Sequence, residues 1–221
     1  MTPKLLCALF LAAVVATPAA AQTRRPVAAA QRDDPPPISF RPFFIATGQR
    51  FAAEKTFDAV FGSQVEPFFG GGLQVAFQQG LFVEVSVSRF SKTGQRAFVL
   101  NSQAFPLGIP LTATITPFEV AGGYRLRVAP RILPYIGAGV SHYAYSETSD
   151  FADTGENVDT GGTGFLVFGG LEFRAHRWVG IAVDAAYTQV KDVIGGGGIS
   201  QVFGEDNLGG TAVRVRVLVG R

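Results

Sequence analysis

The sequence predicts an all-β chain, eight antiparallel strands closed into an up-and-down transmembrane β-barrel. Three observations predict it. Apolar and polar residues alternate through eight segments, and short and long connections alternate between them. The third is an excess of hydrophobic residues without a long hydrophobic run. The 221 residues are 47% hydrophobic and 16% charged, and the mean hydropathy is +0.24. A transmembrane helix takes roughly 18 or more consecutive apolar residues. The longest apolar run is residues 5–16, and beyond it the longest stretch is 164–171 with glycine counted as apolar. A helical membrane protein is excluded. So is a disordered chain, because bulky side chains, including 20 phenylalanines, are spread throughout. The net charge of +2, with no basic run longer than Arg24-Arg25, is too small to suggest nucleic acid as a partner, and none is expected.

Residues 1–21 read as a secretory signal. Lys4 is the positive start, residues 5–16 the apolar stretch, Thr17-Pro18 a break, and Ala19-Ala20-Ala21 a small-residue cleavage site. Cys7, the one cysteine, lies inside it at the start of the apolar run, where a lipoprotein site would not be. The mature chain is expected to have no disulfide, thiol nucleophile or cysteine-bound metal. Residues 22–40, with Asp33-Asp34 and Pro35-Pro36-Pro37, read as an extended proline-rich linker, and residues 41–221 as the barrel domain.

The strands follow in order. Residues 42–53 and 68–77 alternate weakly. Residues 81–90 are the clearest case, with Val83, Val85 and Val87 opposite Glu84, Ser86 and Ser88. Residues 111–125 form the fourth, where Pro117 predicts a bulge. The glycine-rich stretch 135–145 is the fifth. Residues 165–174 set Val167, Leu171 and Phe173 against Glu172 and Arg174, and residues 179–188 set Val179, Ile181 and Val183 against Asp184. The last, 211–219, opposes four valines to Arg214 and Arg216. A period of two is that of a half-buried strand, and each segment approaches the roughly 9–11 residues that cross a bilayer at a tilt.

Gln78-Gln79-Gly80, residues 126–134 and Ala175-His176-Arg177 are short links, whereas 54–67, 91–110, 146–163 and 189–210 are long. Bacterial outer-membrane barrels have this asymmetry, with short periplasmic turns and long outer loops. Both chain ends are then expected on the periplasmic side. Aromatic residues also gather near strand ends. Phe43, Phe77, Tyr124, Tyr135, Phe173 and Trp178 are expected to form a membrane-interface belt on the short-turn side, and Phe51, Phe68, Phe90, Tyr145, Phe165 and Tyr187 a second on the long-loop side.

The polar strand face carries Arg50, Glu84, Glu119, Glu172, Arg174, Asp184, Arg214 and Arg216, four acids and four arginines. Alternation alone fits two arrangements: a secreted lipocalin-like barrel that binds a ligand, or a membrane barrel with the charges in its lumen. The signal, the strand lengths and the aromatic belts favour the second. Eight strands leave a lumen that side chains just fill, so buried charges there must pair. Such a lumen is either a structural plug or a gated path for small solutes in which Arg214 and Arg216 set selectivity.

These segments resemble the small eight-stranded outer-membrane β-barrel proteins, the group of OmpA-like and OmpW-like barrels. The resemblance rests on the terminal strand 209–220, on Pro134-Tyr135-Ile136-Gly137-Ala138-Gly139, and on Gly122-Gly123-Tyr124-Arg125. It implies insertion by the outer-membrane assembly machinery, contact with outer-membrane lipid and lipopolysaccharide, and no enzyme activity. The chain ends Val219-Gly220-Arg221, where such proteins often end in an aromatic residue.

Candidate chemistry is sparse. His142 and His176 are too far apart in the sequence to mark a metal site, and no metal or other cofactor is expected. His176, beside Trp178, reads as an interfacial anchor. Ser141, His142, Ser146 and Glu147 contain the residue types of lipid-modifying barrel hydrolases, but alternation sets Ser141 opposite His142, and Ser146 lies four positions away, beyond hydrogen-bond reach. Glu147, Asp150, Asp153, Glu156 and Asp159 read as a solvated acidic loop without calcium-loop spacing. Residues 195–198 read as a flexible outer loop rather than a phosphate loop. Arg96, Phe98, Phe105 and Leu107 suit contact with lipopolysaccharide or a partner.

Overall fold

A computed structural model describes residues 37–100, 103–149 and 158–220. The signal, most of the linker, and Asp150, Asp153 and Glu156 lie outside them.

Eight antiparallel strands close into a barrel in sequence order: β1 (Ile38–Phe51), β2 (Val65–Phe77), β3 (Leu81–Leu100), β4 (Gln103–Arg125), β5 (Ile132–Thr148), β6 (Val158–His176), β7 (Val179–Gln189) and β8 (Gly210–Val219). Pairing of β1 with β8, from Phe43 against Leu218 to Phe51 against Gly210, closes the cylinder. Every expected strand is present. The first begins at Ile38, so residues 38–40 belong to the barrel and not to the linker.

Pro117 makes no bulge. Val87 faces Phe118 and Phe90 faces Ile115, so the register passes through Pro117 unshifted. Proline lacks only its own N–H, and the loss of one ladder bond is absorbed where both flanks are paired. The bulges fall at Gln95/Ala97 and at Arg174/His176, beside the ends of hairpins.

At the short-turn end, Gly80 donates its N–H to Phe77 O at 3.0 Å with φ +93, a conformation that favours glycine. The described parts of the long connections carry regular structure. Residues 91–100 and 103–110 extend the β3–β4 hairpin well past the last β2–β3 pair, Phe69 with Arg89. The first and last long connections each hold a helix, α1 (Glu54–Phe61) and α2 (Gly198–Phe203). Residues 195–198 are therefore partly helical: Gly198 opens α2, and Gly195 N–H bonds Ser200 Oγ at 2.9 Å.

Side-chain direction divides the molecule. On β3, Leu81, Val83, Val85 and Val87 are exposed while Phe82 and Glu84 are buried. On β8, Val213, Val215, Val217 and Val219 are exposed while Arg214 and Arg216 are buried. The outer wall is apolar and the interior carries the charge, the reverse of a water-soluble barrel.

Candidate functional site: a charged lumen

The interior is layered. Nearest the short turns, Arg41 of β1 reaches across to Glu172 of β6, Nη2 to Oε1, at 2.5 Å. Arg125 of β4 meets the other carboxylate oxygen at 3.1 Å and also donates to Gln74 Oε1. Gln74 passes the connection upward, its Nε2 donating to Glu84 Oε2 at 2.9 Å.

The middle layer centres on Arg216. Its Nη1 donates to both Glu84 oxygens at 2.9 Å, and its Nη2 meets Asp184 Oδ2 at 2.9 Å and Tyr135 Oη at 2.8 Å. Tyr135 in turn donates to Asp184 at 2.6 Å. Arg214 Nε donates to Asp184 Oδ1 at 2.5 Å, and its Nη1 meets Glu119 at 3.3 Å, a carboxylate that Ser86 also reaches. The guanidinium planes lie near aromatic rings: Arg125 over Phe82 at 5.4 Å, Arg214 over Phe168 at 4.5 Å, and Arg216 near Phe43, Tyr135 and Phe168. A ring face stabilises a cation withdrawn from water.

Arg41, Arg125, Arg214 and Arg216 balance Glu84, Glu119, Glu172 and Asp184. Balance is what burial demands, since an unpaired charge in a low-dielectric interior costs several kcal/mol. Small residues make the space. A Cβ on Gly180 would come within 2.9 Å of both Arg41 Nη2 and Glu172 Oε1.

Toward the long loops the lumen turns apolar. Phe51 stacks on Phe57 of α1 with ring centroids 3.7 Å apart, and Phe68, Phe90, Ile115, Val190 and Leu208 close around them. Glu205, just past α2, ties the two outer connections together by accepting the backbone N–H of Lys55 and of Thr56 at 3.1 and 2.9 Å. Between the two layers lies a cavity of about 20 Å³, bounded by Glu119, Arg214, Tyr143, Gln49 and Thr188. That is room for about one water.

Of the residues expected in the lumen, Glu84, Glu119, Glu172, Asp184, Arg214 and Arg216 share this network. Arg174 lies at its short-turn margin, 3.9 Å from Glu172 and half-exposed. Arg50 does not belong to it. Gln49 and Phe51 are the inward neighbours on β1, and Arg50 faces out to pair with Glu54 at 2.9 Å. Alternation in the sequence does not single out Arg41, Gln74 and Arg125, although Arg125 shares the odd-numbered face with Glu119.

Among the expected interface aromatics, Phe77, Tyr124, Phe173 and Trp178 are exposed on the outer wall. Phe43 and Tyr135 are buried inside, against Arg216. The second belt is corrected further, since Phe51, Phe68, Phe90 and Tyr145 pack the lumen and only Phe165 and Tyr187 remain outside. Position along a strand puts an aromatic near an end, but parity decides its face. Ser141 is fully buried while His142 is exposed and bonds Thr163 at 2.9 Å, and Tyr145 donates to Glu147.

No family model and no curated protein matches the chain. Among solved structures it is similar to Neisserial surface protein A, at 12% identity over 82% of this chain and 96% of that one, with a TM-score of 0.51. It is also similar to the attachment invasion locus protein Ail of Yersinia pestis, at 14% identity, 83% and 95% coverage and a TM-score of 0.48. The N-terminal β-barrel domain of Pseudomonas aeruginosa OprF gives 12% identity, 82% and 97% coverage and 0.45. The first likeness shows the fold: a small eight-stranded barrel of the outer-membrane type.

Proposed function

We propose that this chain is a bacterial outer-membrane barrel whose lumen is a closed structural plug, with a non-catalytic role at the cell surface. One observation carries the reading: an apolar wall encloses a charge-balanced network that fills the interior. Exposed to water, the band of valine, leucine, isoleucine and phenylalanine would be an aggregation surface. In lipid it is the low-energy outside of the molecule. Both chain ends lie on the periplasmic side in this reading, the assembly machinery inserts the barrel, and the long-loop end meets lipopolysaccharide and the medium.

A passage would have to break the Arg216 bonds to Glu84 and Asp184 and displace the aromatic layer above them. The experiment is conductance of the purified full chain in planar bilayers. The plug reading predicts no channel events above the protein-free membrane, for the native chain and for Phe57→Ala alike. Stable unitary conductance in the native chain would replace the plug by a pore.

A further inference from the structure

We propose that the cleft between α1 and the extended β3–β4 hairpin binds a small organic cation, a protonated amine on an apolar frame, with Asp58 on the ammonium. The site lies at the long-loop end, outside the lumen, and is separate from the plug.

The cleft has a volume of about 600 Å³ and three walls: residues 58–62, residues 93–95 of β3, and Pro106, Gly108 and Pro110 of β4. Pockets for small molecules run roughly 300–1,000 Å³. An irregularity of the sheet makes the space. Gln95 pairs with Pro110 and Ala97 with Pro106, so Leu107, Gly108 and Ile109 stand opposite Arg96 alone. Gly108 holds φ +70 in this excursion, and the proline at each end has its own φ fixed, so the wall is preset. On the other side α1 presses against β3. A Cβ on Gly94 would come within 2.3 Å of Val60 O.

Charge selects the occupant. Among the described residues, no lysine or arginine lines the cleft. α1 ends here without a basic residue in its last turn, so the partial negative charge of its terminal carbonyls is not offset by the helix itself. Asp58 adds a full negative charge. It is exposed, and its carboxylate has no hydrogen bond or ion pair among the described residues. Asp58 and Phe61 are three apart on α1 and share a face, which sets a carboxylate beside an aromatic ring. Ala59, Val60 and the two prolines make the rest of the wall apolar. Lys92 lies over the Phe61 ring at 5.7 Å, but Glu66 already holds its ammonium at 2.6 Å, and Arg96 has a partner of its own. Carboxylate, carbonyls and ring face all favour a cation. An anion would find no cation to receive it among the lining residues.

The test uses the isotope-labelled full chain in detergent micelles, titrated with tryptamine and followed by NMR at the amides of Gly62 and Gly108. Saturable shifts are expected, with a Kd below about 1 mM. Tryptophol, the neutral counterpart, and the anion indolepropionate should each bind at least about fivefold more weakly. Asp58→Asn should weaken tryptamine binding about fivefold or more, as expected for a partly exposed charge-assisted bond. Asp58→Glu should restore most of it. Asp159→Asn, at an exposed acid on β6, should leave it unchanged. Gly94→Ala pushes α1 away from β3 and should weaken binding without altering any charge. Folding of each variant is checked by heat-dependent gel migration. Equal binding of tryptamine and tryptophol, or equal affinity in Asp58→Asn, overturns the proposal. Equal affinity in Gly94→Ala, or no saturable shift at Gly62 and Gly108, would show that the cleft is not the site.

Discussion

Arg216 is the residue on which the lumen turns, because it alone holds Glu84, Asp184 and Tyr135 together. Arg216→Ala leaves two buried carboxylates short of their partner and is expected to cost about 3–5 kcal/mol, the range for breaking a buried pair. Arg50→Ala removes an exposed pair with Glu54 and should cost less than about 1 kcal/mol. Urea unfolding of both variants in lipid vesicles, compared with the native chain, gives the two numbers. Gly180→Val would push a side chain into the space of Arg41 and Glu172, with an expected loss of about 1–3 kcal/mol from overpacking. The lumen positions of Arg216, Arg214 and Glu84 are legible in the sequence, because clean alternation fixes their face. That of Arg41 is not, since it precedes residues 42–53, where the weak alternation of the first strand becomes readable, and Gln74 is hidden because three glycines, Gly70 to Gly72, erase the pattern of β2. Tyr135 is legible by position but not by face, since glycines on β5 blur its parity.

At the scale of elements, the strands are readable because a period of two persists over many residues. The two helices are not. α1 has eight residues and α2 six, too short for a helical period to stand out. Phe57 and Phe61, four apart, are the one available signal for α1. The order of these caps is testable. Glu205 satisfies two N–H groups at the start of α1, and bonds to a charged acceptor are worth about 1.5–3 kcal/mol. Glu205→Ala should therefore speed amide hydrogen exchange at Lys55 and Thr56 by about tenfold or more, with the β8 amides unchanged. Equal rates in both proteins would show that the cap holds without Glu205. The extended β3–β4 hairpin reads as a loop for a related reason. Just beyond Phe90 its outward residues are Ser91 and Thr93, facing Thr114 and Thr112, so apolar alternation fades although the strand continues.

For the whole molecule, the decisive property is which side of the wall faces lipid. The excess hydrophobicity of the sequence is placed on every second residue, and the barrel turns that half outward while the buried arginines and carboxylates close on one another inside. The described chain has no cysteine, so single cysteines can be placed at will along β3 and β8 and labelled with a fluorophore. The most direct measurement is quenching of these labels by a lipid-soluble quencher in vesicles containing the refolded chain. Labels at Val83, Val85, Val87, Val213, Val215 and Val217 should be strongly quenched, and labels at Glu84, Ser86, Ala212 and Arg214 protected. Uniform quenching, or protection at the valines with quenching at the charged positions, would contradict a barrel with its apolar wall in lipid.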